Sequence, residues 1–330
     1  MALGLSLSTF GAAGQAAPPS PLLPTAVLQG LNQRRDGPGW RQLLLHGLVL
    51  LVGGALWALP PLTLNGLQPG LAWGLKLLGL MLLGWGLAFA FCAMHECGHR
   101  TAFAGRRIND TVAWWSGVLS FYNADFYRRY HQWHHRYTNI PGLDPELEEA
   151  PPTTRLGYLF ELSGLPWWIG KLRSHWRGLR GDFSDAPYIP ADAAAAVQAS
   201  IQRQWAVYLL LMLISLVMGD ASMWRFWLLP LALGQPLLRF VLLAEHGGCP
   251  CVPDGERNTR TTLTLAPLRC LMWNMSFHAE HHLLPAVPFH ALAAAHQHLA
   301  PRLAYLQPGY GALHASFLRQ PDQLCLSTEA

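Results

Sequence analysis

Eight histidines in three short stretches carry the chemistry open to this chain. The stretch Trp273–Pro285, WNMSFHAEHHLLP, holds His278, His281 and His282. Imidazoles at i, i+3 and i+4 fall on one face of a helix. His131, His134 and His135 in HQWHH repeat that spacing, and His95 and His99 in HECGH stand at i, i+4. Imidazole is a borderline ligand suited to Zn, Cu, Fe and Ni. Eight of them exceed one tetrahedral site, so two metal ions are the economical reading. A lone histidine such as His46 or His175 is more often a satisfied polar residue. Three helical clusters beside long apolar segments need another explanation.

The elements that must position these rings follow from composition and hydropathy. The chain has 330 residues, is 51% hydrophobic and only 13% charged, and holds 14 Trp. That profile indicates a membrane protein rather than a soluble globule. The net charge is +4, with arginines scattered among acids. No basic stripe suggests a nucleic-acid partner, and a membrane surface explains the arginines better. The six cysteines form no disulfide framework. Cys249-Pro250-Cys251 is a CxC rather than a redox CxxC, and reduced thiols are expected.

Residues 1–40 are expected to form a flexible N-terminal tail, because no charge precedes Arg34 and no positive signal-peptide region opens the chain. Apolar runs follow at Leu43 to about Leu64, Leu71–Met94, Trp205–Met218 and Trp224–Ala244. A ~30 Å hydrocarbon core needs about 20 helical residues, so the third run is expected to begin before Trp205. An Asn-Gly turn and Pro69 separate the first two runs, and a Gly219-Asp220 turn joins the last two. The fourth contains Pro230, Gln235, Pro236 and Arg239. Either Arg239 faces the bundle or a cavity, or the helix ends early and the side chain snorkels. Val112–Phe121 is too short to span, and Leu156–Trp176 mixes aromatic and basic residues as an interfacial helix does. The acidic run Asp144–Glu149 is expected to be a solvated loop, and His290, His296, His298 and His314 are not expected to ligate.

The arginine-rich N-terminal flank and the 95–203 segment place themselves in the cytoplasm by the positive-inside rule. Four spans then return the chain from His246 onward to the same side. All three clusters meet on one face of the membrane. The expected architecture is an all-α membrane protein: four transmembrane helices in two hairpins, with a cytoplasmic helical cap holding the metal site. Residues 41–300 form the membrane domain and 301–330 a C-terminal cytoplasmic tail. The expected location is a bacterial inner membrane.

HECGH, HQWHH and HAEHH resemble the three histidine boxes of the integral-membrane fatty acid desaturase and alkane hydroxylase superfamily. The resemblance runs from about Arg41 to His298 and includes box order, hydropathy and the closing Pro285. It implies a non-haem di-iron centre, O₂ as oxidant, and attack on an unactivated C–H bond of a lipid or fatty acyl substrate, led along a dry tunnel. It implies that His95, His99, His131, His134, His135, His278, His281 and His282 are ligands. A ninth is expected near the end of the fourth span, where His246 stands in AEHGG. Acyl-CoA desaturases carry an asparagine four residues before that histidine, whereas this chain has Leu242. The Glu-His-x-Gly form is closer to the alkane hydroxylase branch and makes Glu245 an extra ligand or an acceptor that orients an imidazole. Asn274 is expected either to hydrogen-bond within the site or to cap a helix.

Desaturation leads among the implied outcomes. A hydroxylase, an O-demethylating oxygenase and a 1-alkene-forming decarboxylase are rivals on the same scaffold. EHGG, NTRTT and WNMSFHAEHH also look like the rhizopine-oxygenase branch. The chain has no GxGxxG, P-loop or ferredoxin-type cysteine array. Electrons are therefore expected from a separate ferredoxin, rubredoxin or cytochrome with its reductase. Arg100, Arg106, Arg107, Arg128, Arg129 and Arg136 either dock that donor or simply follow the positive-inside bias. A metal transporter would need ionisable residues along several spans, and apart from Lys76 and Arg239 these have few.

Overall fold

A computed structural model describes residues 22–59 and 69–324. The Asn65-Gly66 turn lies outside the described residues. Among the described residues, four helices are long and apolar enough to cross a membrane: α2 (Asp36–Ala58), α3 (Pro69–Gly98), α8 (Ala191–Val217), and α9 (Leu229–His246) with the π-helical turn Trp224–Leu228 before it. The other helices are α1 (Thr25–Leu31), α4 (Arg106–Ser120), α5 (Ala124–Tyr137), α6 (Arg155–Leu162), α7 (Leu165–Leu179), α10 (Ala266–Leu271), α11 (His278–Leu283), α12 (Leu292–Leu299) and α13 (Tyr310–Arg319). Strands among the described residues amount to one short parallel pair, Thr261–Thr262 with Leu306–Gln307.

The centre of the bundle is α3. It packs against α2, α4 and α9, and its apolar window is 72% buried against 17% for that of α2. It continues past the second apolar run without a break, so the first histidine pair rides on the end of a spanning helix. Its crossing with α9 is a contact of backbones. A Cβ added at Gly234 would lie 2.0 Å from the Gly84 carbonyl oxygen, and one at Gly84 would lie 2.3 Å from that of Pro230. Small residues permit such an approach, and nothing flexible is there to yield. Gly234→Val is expected to part the two helices, costing about 3 kcal/mol or more and visible as a lowered melting temperature of the detergent-purified protein. An unchanged melting temperature would show that the crossing tolerates bulk.

The third spanning helix starts well before Trp205, at Ala191. At 27 residues it is about 40 Å long, more than the bilayer needs. The surplus docks on the cap. Asn123 donates to Ser200 Oγ (3.2 Å) and Gln204 Oε1 (2.9 Å), and Gln204 donates to the Tyr122 carbonyl (3.0 Å). The rest leaves Leu209–Val217 exposed for lipid, while α8 leans on α7 and α5. The predicted interfacial helix is two helices, because Gly164 at φ +76° breaks it between α6 and α7. Leu156, Phe160, Ile169 and Trp176 remain exposed along them.

The two ionisable residues singled out within the apolar runs, Lys76 and Arg239, have polar company. Lys76 caps the first spanning helix by donating to the carbonyls of Trp57 (3.1 Å) and Leu59 (2.7 Å). Arg239 donates to Tyr122 Oη (3.0 Å) and lies 5.5 Å from the Trp167 ring. It therefore faces an internal cavity rather than snorkelling. The expected N-terminal tail falls outside the described residues as far as residue 21. In its described part, Leu23 and Leu31 close an apolar cluster with Leu292 and Leu299 of α12. The segment from Pro301 is packed as well: α13 buries Tyr310, Leu313 and Phe317 against α9 and α6.

Candidate metal centre

Four elements deliver the histidines. The last turn of α3 supplies His95 and the residue just past its end is His99, α5 supplies His131, His134 and His135, the end of α9 supplies His246, and α11 supplies His278, His281 and His282. The first turn of α5 is capped by Asn123, whose side chain accepts from Phe126 N (3.0 Å). Placing α11 requires a sharp reversal after α10. Trp273 (φ +52°) and Asn274 (φ +61°) supply it in the left-handed region, an uncommon conformation for a bulky residue. Packing holds it there: Trp273 Nε1 donates to His46 Nδ1 (3.3 Å), and His46 Nε2 donates to the Gly86 carbonyl (2.8 Å). His46 is thus a satisfied structural residue. Asn274 donates to the Phe289 carbonyl (3.0 Å), so it ties box three to the next turn rather than touching a histidine or capping α11.

The nine rings converge as two groups. Ligand atoms of His95, His99, His131, His135 and His281 lie within 4.8 Å of one another, as do those of His134, His246 and His282. His278 adjoins the second group, its Nε2 being 3.1 Å from the Nε2 atoms of both His246 and His282. His135 Nε2 stands 2.9 Å from His131 Nε2 and 3.1 Å from His281 Nε2.

Outer partners fix how four of these rings present themselves. His134 Nδ1 donates to Asp144 Oδ1 (2.9 Å), His246 Nδ1 to the Asn258 carbonyl (3.2 Å) and His95 Nδ1 to Glu96 Oε1 (3.1 Å). Thr138 Oγ1 gives its proton to the His134 carbonyl (2.8 Å), so it accepts from His282 Nδ1 (3.1 Å). An acceptor at Nδ1 assigns the tautomer and leaves a lone pair on Nε2, aimed inward. His134 and His246 then face each other Nε2 to Nε2 at 3.2 Å. Two neutral lone pairs at that distance repel unless a cation lies between them. Nε2 of His95 and of His99 is buried with no protein partner. Burial, then neighbouring imidazoles, hold His131, His135, His278, His281 and His282 well below the usual imidazole range, so they are neutral at neutral pH. Burial lowers His134 too, but Glu146 and Asp144 together carry it up. Neutral imidazoles with orphaned lone pairs fit metal ions.

Carboxylates stand around the rings. The acidic run is a solvated loop only in part: Glu146, Glu148 and Glu149 are exposed, whereas Asp144 is buried. Asn139 (φ +58°) turns the chain back, and Asp144 accepts from Asn139 N (2.7 Å) and Glu146 N (2.9 Å) as well as from His134. Burial alone would raise its carboxyl pKa, yet the His134 bond and charge bring it below the ordinary value. Glu146 places an oxygen 3.9 Å from His134 Nε2 and joins His131 and His134 in a third possible ligand group. Glu280, the spacer inside box three, is fully buried and bonded to Thr261 and His296. Glu245 Oε2 lies 3.4 Å from His278 Nε2, and its Oε1 is buried without a partner. Among the described residues, His290, His298 and His314 join none of the groups.

A cavity of about 420 Å³ opens beside the rings, lined by His95, His131, His134 and His278. Its walls are not uniformly apolar. Phe91, Tyr122, Tyr127 and Trp167 share them with Lys171, Arg239 and Glu146. On the cap surface Asp110 gathers Arg100 (2.8 Å), Arg128 (2.6 Å) and Arg106 (3.6 Å), so part of the expected docking face is internally neutralised.

Four apolar spans, an α-helical cap and clustered imidazoles that could hold metal are the features of a membrane enzyme with a candidate metal centre. The fatty acid desaturase family model matches residues 71–314, and this chain belongs to that family. It is 25% identical over 289 residues to the sn-1 oleoyl-lipid 12-desaturase of Anabaena variabilis, covering 80% of this chain and 77% of that one. It is 24% identical over 281 residues to the enzyme of the same name from Picosynechococcus, covering 78% and 75%. The chloroplastic omega-6 fatty acid desaturase of Spinacia oleracea is 23% identical over 304 residues, 83% and 62% of the two chains. The protein is thus a desaturase-like fatty acyl oxidoreductase of a membrane. These relatives do not favour the hydroxylase, O-demethylase or decarboxylase alternatives.

Proposed function

We propose that His95, His99, His131, His135 and His281 hold one iron, that His134, His246, His278 and His282 hold a second, and that the chain uses O₂ to introduce a double bond into a fatty acyl chain. The observation that carries this reading is the pair of imidazole groups, in which acceptors at Nδ1 of His95, His134, His246 and His282 leave the Nε2 lone pairs of those rings facing inward. Bound iron supplies the oxidising power needed to break an unactivated C–H bond. The protein's own part is positional. Asp144, Asn258, Thr138 and Glu96 orient the imidazoles, Glu245 stands beside His278 as a further ligand or acceptor, and Asn274 steadies the turn behind box three. The aromatic wall excludes water and sets which carbon of the chain is presented, where an error of about an ångström costs on the order of a hundredfold in rate.

The unit from 41 to 300 is the catalytic membrane domain, with the boxes at the cytoplasmic face of a bacterial inner membrane. Electrons come from a separate ferredoxin, rubredoxin or cytochrome with its reductase, docking on the arginines of the cap. Two measurements test the reading. Metal analysis of purified protein is expected to give about two irons per chain. Mass spectrometry of lipids from expressing cells is expected to show a new internal double bond. An alcohol or a shortened 1-alkene as the product would overturn it.

A further inference from the structure

We propose that Lys171, Arg239 and Tyr122 form a receptor for the anionic end of the acyl substrate, a carboxylate or a phosphate, inside the cavity beside the histidines. The three groups meet there from separate elements. Trp167 Nε1 (2.8 Å) and Arg239 Nη2 (3.0 Å) both donate to Tyr122 Oη. With both acceptor positions filled, the phenol has its own proton left to donate. Arg239 Nε is buried and has no partner. Lys171 Nζ lies 4.2 Å from the centre of the Tyr122 ring, and neither cation forms an ion pair with a described carboxylate.

This leaves one phenol and two cations lining one cavity, with no carboxylate directly paired to either cation and Arg239 Nε buried without an acceptor. Buried donors without acceptors are costly, and two like charges side by side add to the cost. An anion relieves both. Five carboxylates line the same cavity, Glu146, Glu148, Glu149, Glu161 and Glu245, yet none is within ion-pair distance of Lys171 or Arg239; Glu146 stands 3.9 Å from His134 and Glu245 3.4 Å from His278. Burial, and then Arg239, depress the Lys171 ammonium to about 7, against a smaller upward pull from Glu146. One helical turn before Arg239, Gln235 is fully buried with both amide atoms unpartnered, which extends the unsatisfied polar face along α9.

This receptor rests on the fatty acyl reading, so its test measures binding rather than turnover. Radiolabelled oleate, oleoyl lysophosphatidate and methyl oleate are bound to the full-length iron-loaded protein in one detergent. One of the two anions is expected to bind at least about tenfold more tightly than the neutral ester, as a desolvated charge-assisted contact implies. Preference for oleate assigns a carboxylate, and preference for the lysophosphatidate assigns a phosphate. Arg239→Gln and Lys171→Gln are each expected to remove most of that preference, and Lys171→Arg to retain it. Should Arg239→Gln fail to fold, Lys171→Gln on the interfacial helix decides the matter alone. Equal affinity for all three ligands, or a preference untouched by both glutamine variants, overturns the receptor and leaves the acyl reading standing. Failure to bind any oleoyl compound sinks both.

Discussion

His281→Ala is expected to leave the protein folded, with iron falling from about two per chain toward one and with no detectable desaturation. His281 is almost fully buried on α11, and its Nε2 is 3.1 Å from that of His135 in the five-ring group. No other side chain can replace it, because its neighbours on the same helix, His278 and His282, face the second group. Losing the outer partner of a ligand costs roughly 10–100-fold in metal affinity or activity, and losing the ligand itself should exceed that. The second group keeps all its rings, which is why partial rather than complete iron loss is expected. His298→Ala is the control: same chemistry, exposed on α12 and outside every ring group, so neither iron nor product should change. Normal iron content and normal product in His281→Ala would remove the basis for a histidine-held metal pair.

How far the sequence reached follows from how local each signal is. The boxes were legible because i, i+3, i+4 spacing places rings on one helical face whatever else the chain does. The spans were legible because a bilayer demands long apolar runs. Their ends were not, and α8 shows why. Ser200 and Gln204 look like the polar flank of a short span, yet both are buried against Asn123 in the cap. A polar residue inside a buried network and one at the surface have the same composition, and only the tertiary partner tells them apart.

The supporting shell escaped for the same reason. Asn258 and Thr261 sit in a polar stretch that reads as a loop, and Glu96 and Glu280 occupy spacer positions within the boxes. Their roles depend on contacts from residues far away in the chain, such as Thr261 with Glu280 and the Asn258 carbonyl with His246. Arg239 lay between: its cost in lipid made two readings possible, and only the position of Tyr122 selects one. The mixed cavity is the larger departure. An acyl tunnel is expected to be apolar, whereas Lys171, Arg239 and Glu146 line this one next to the metal ligands.

Asp144→Asn is the sharpest probe of that supporting shell, because it changes almost no volume. The carboxylate accepts three bonds at once: His134 Nδ1 and Glu146 N at one oxygen, Asn139 N at the other. An amide has one accepting oxygen and one NH₂. If the oxygen stays toward His134, the NH₂ opposes the Asn139 amide in a buried turn. That mismatch costs about 1–3 kcal/mol. If the amide flips, its NH₂ faces Nδ1 of His134, the ring moves its proton to Nε2, and the lone pair facing His246 is lost. Both outcomes weaken the second group. Iron retention against a chelator and desaturation are expected to fall about 10–100-fold, while His281 and the first group keep their metal. Glu146→Gln separates the two acids, because Glu146 is more exposed and its nearest oxygen is 3.9 Å from the ring, beyond a direct hydrogen bond. A milder effect there than at Asp144 is expected. Iron retention in Asp144→Asn equal to that of the unmodified protein would mean that His134 needs no carboxylate to hold its tautomer. The orientation of the second group would then have to come from Asn258 and Thr138 alone.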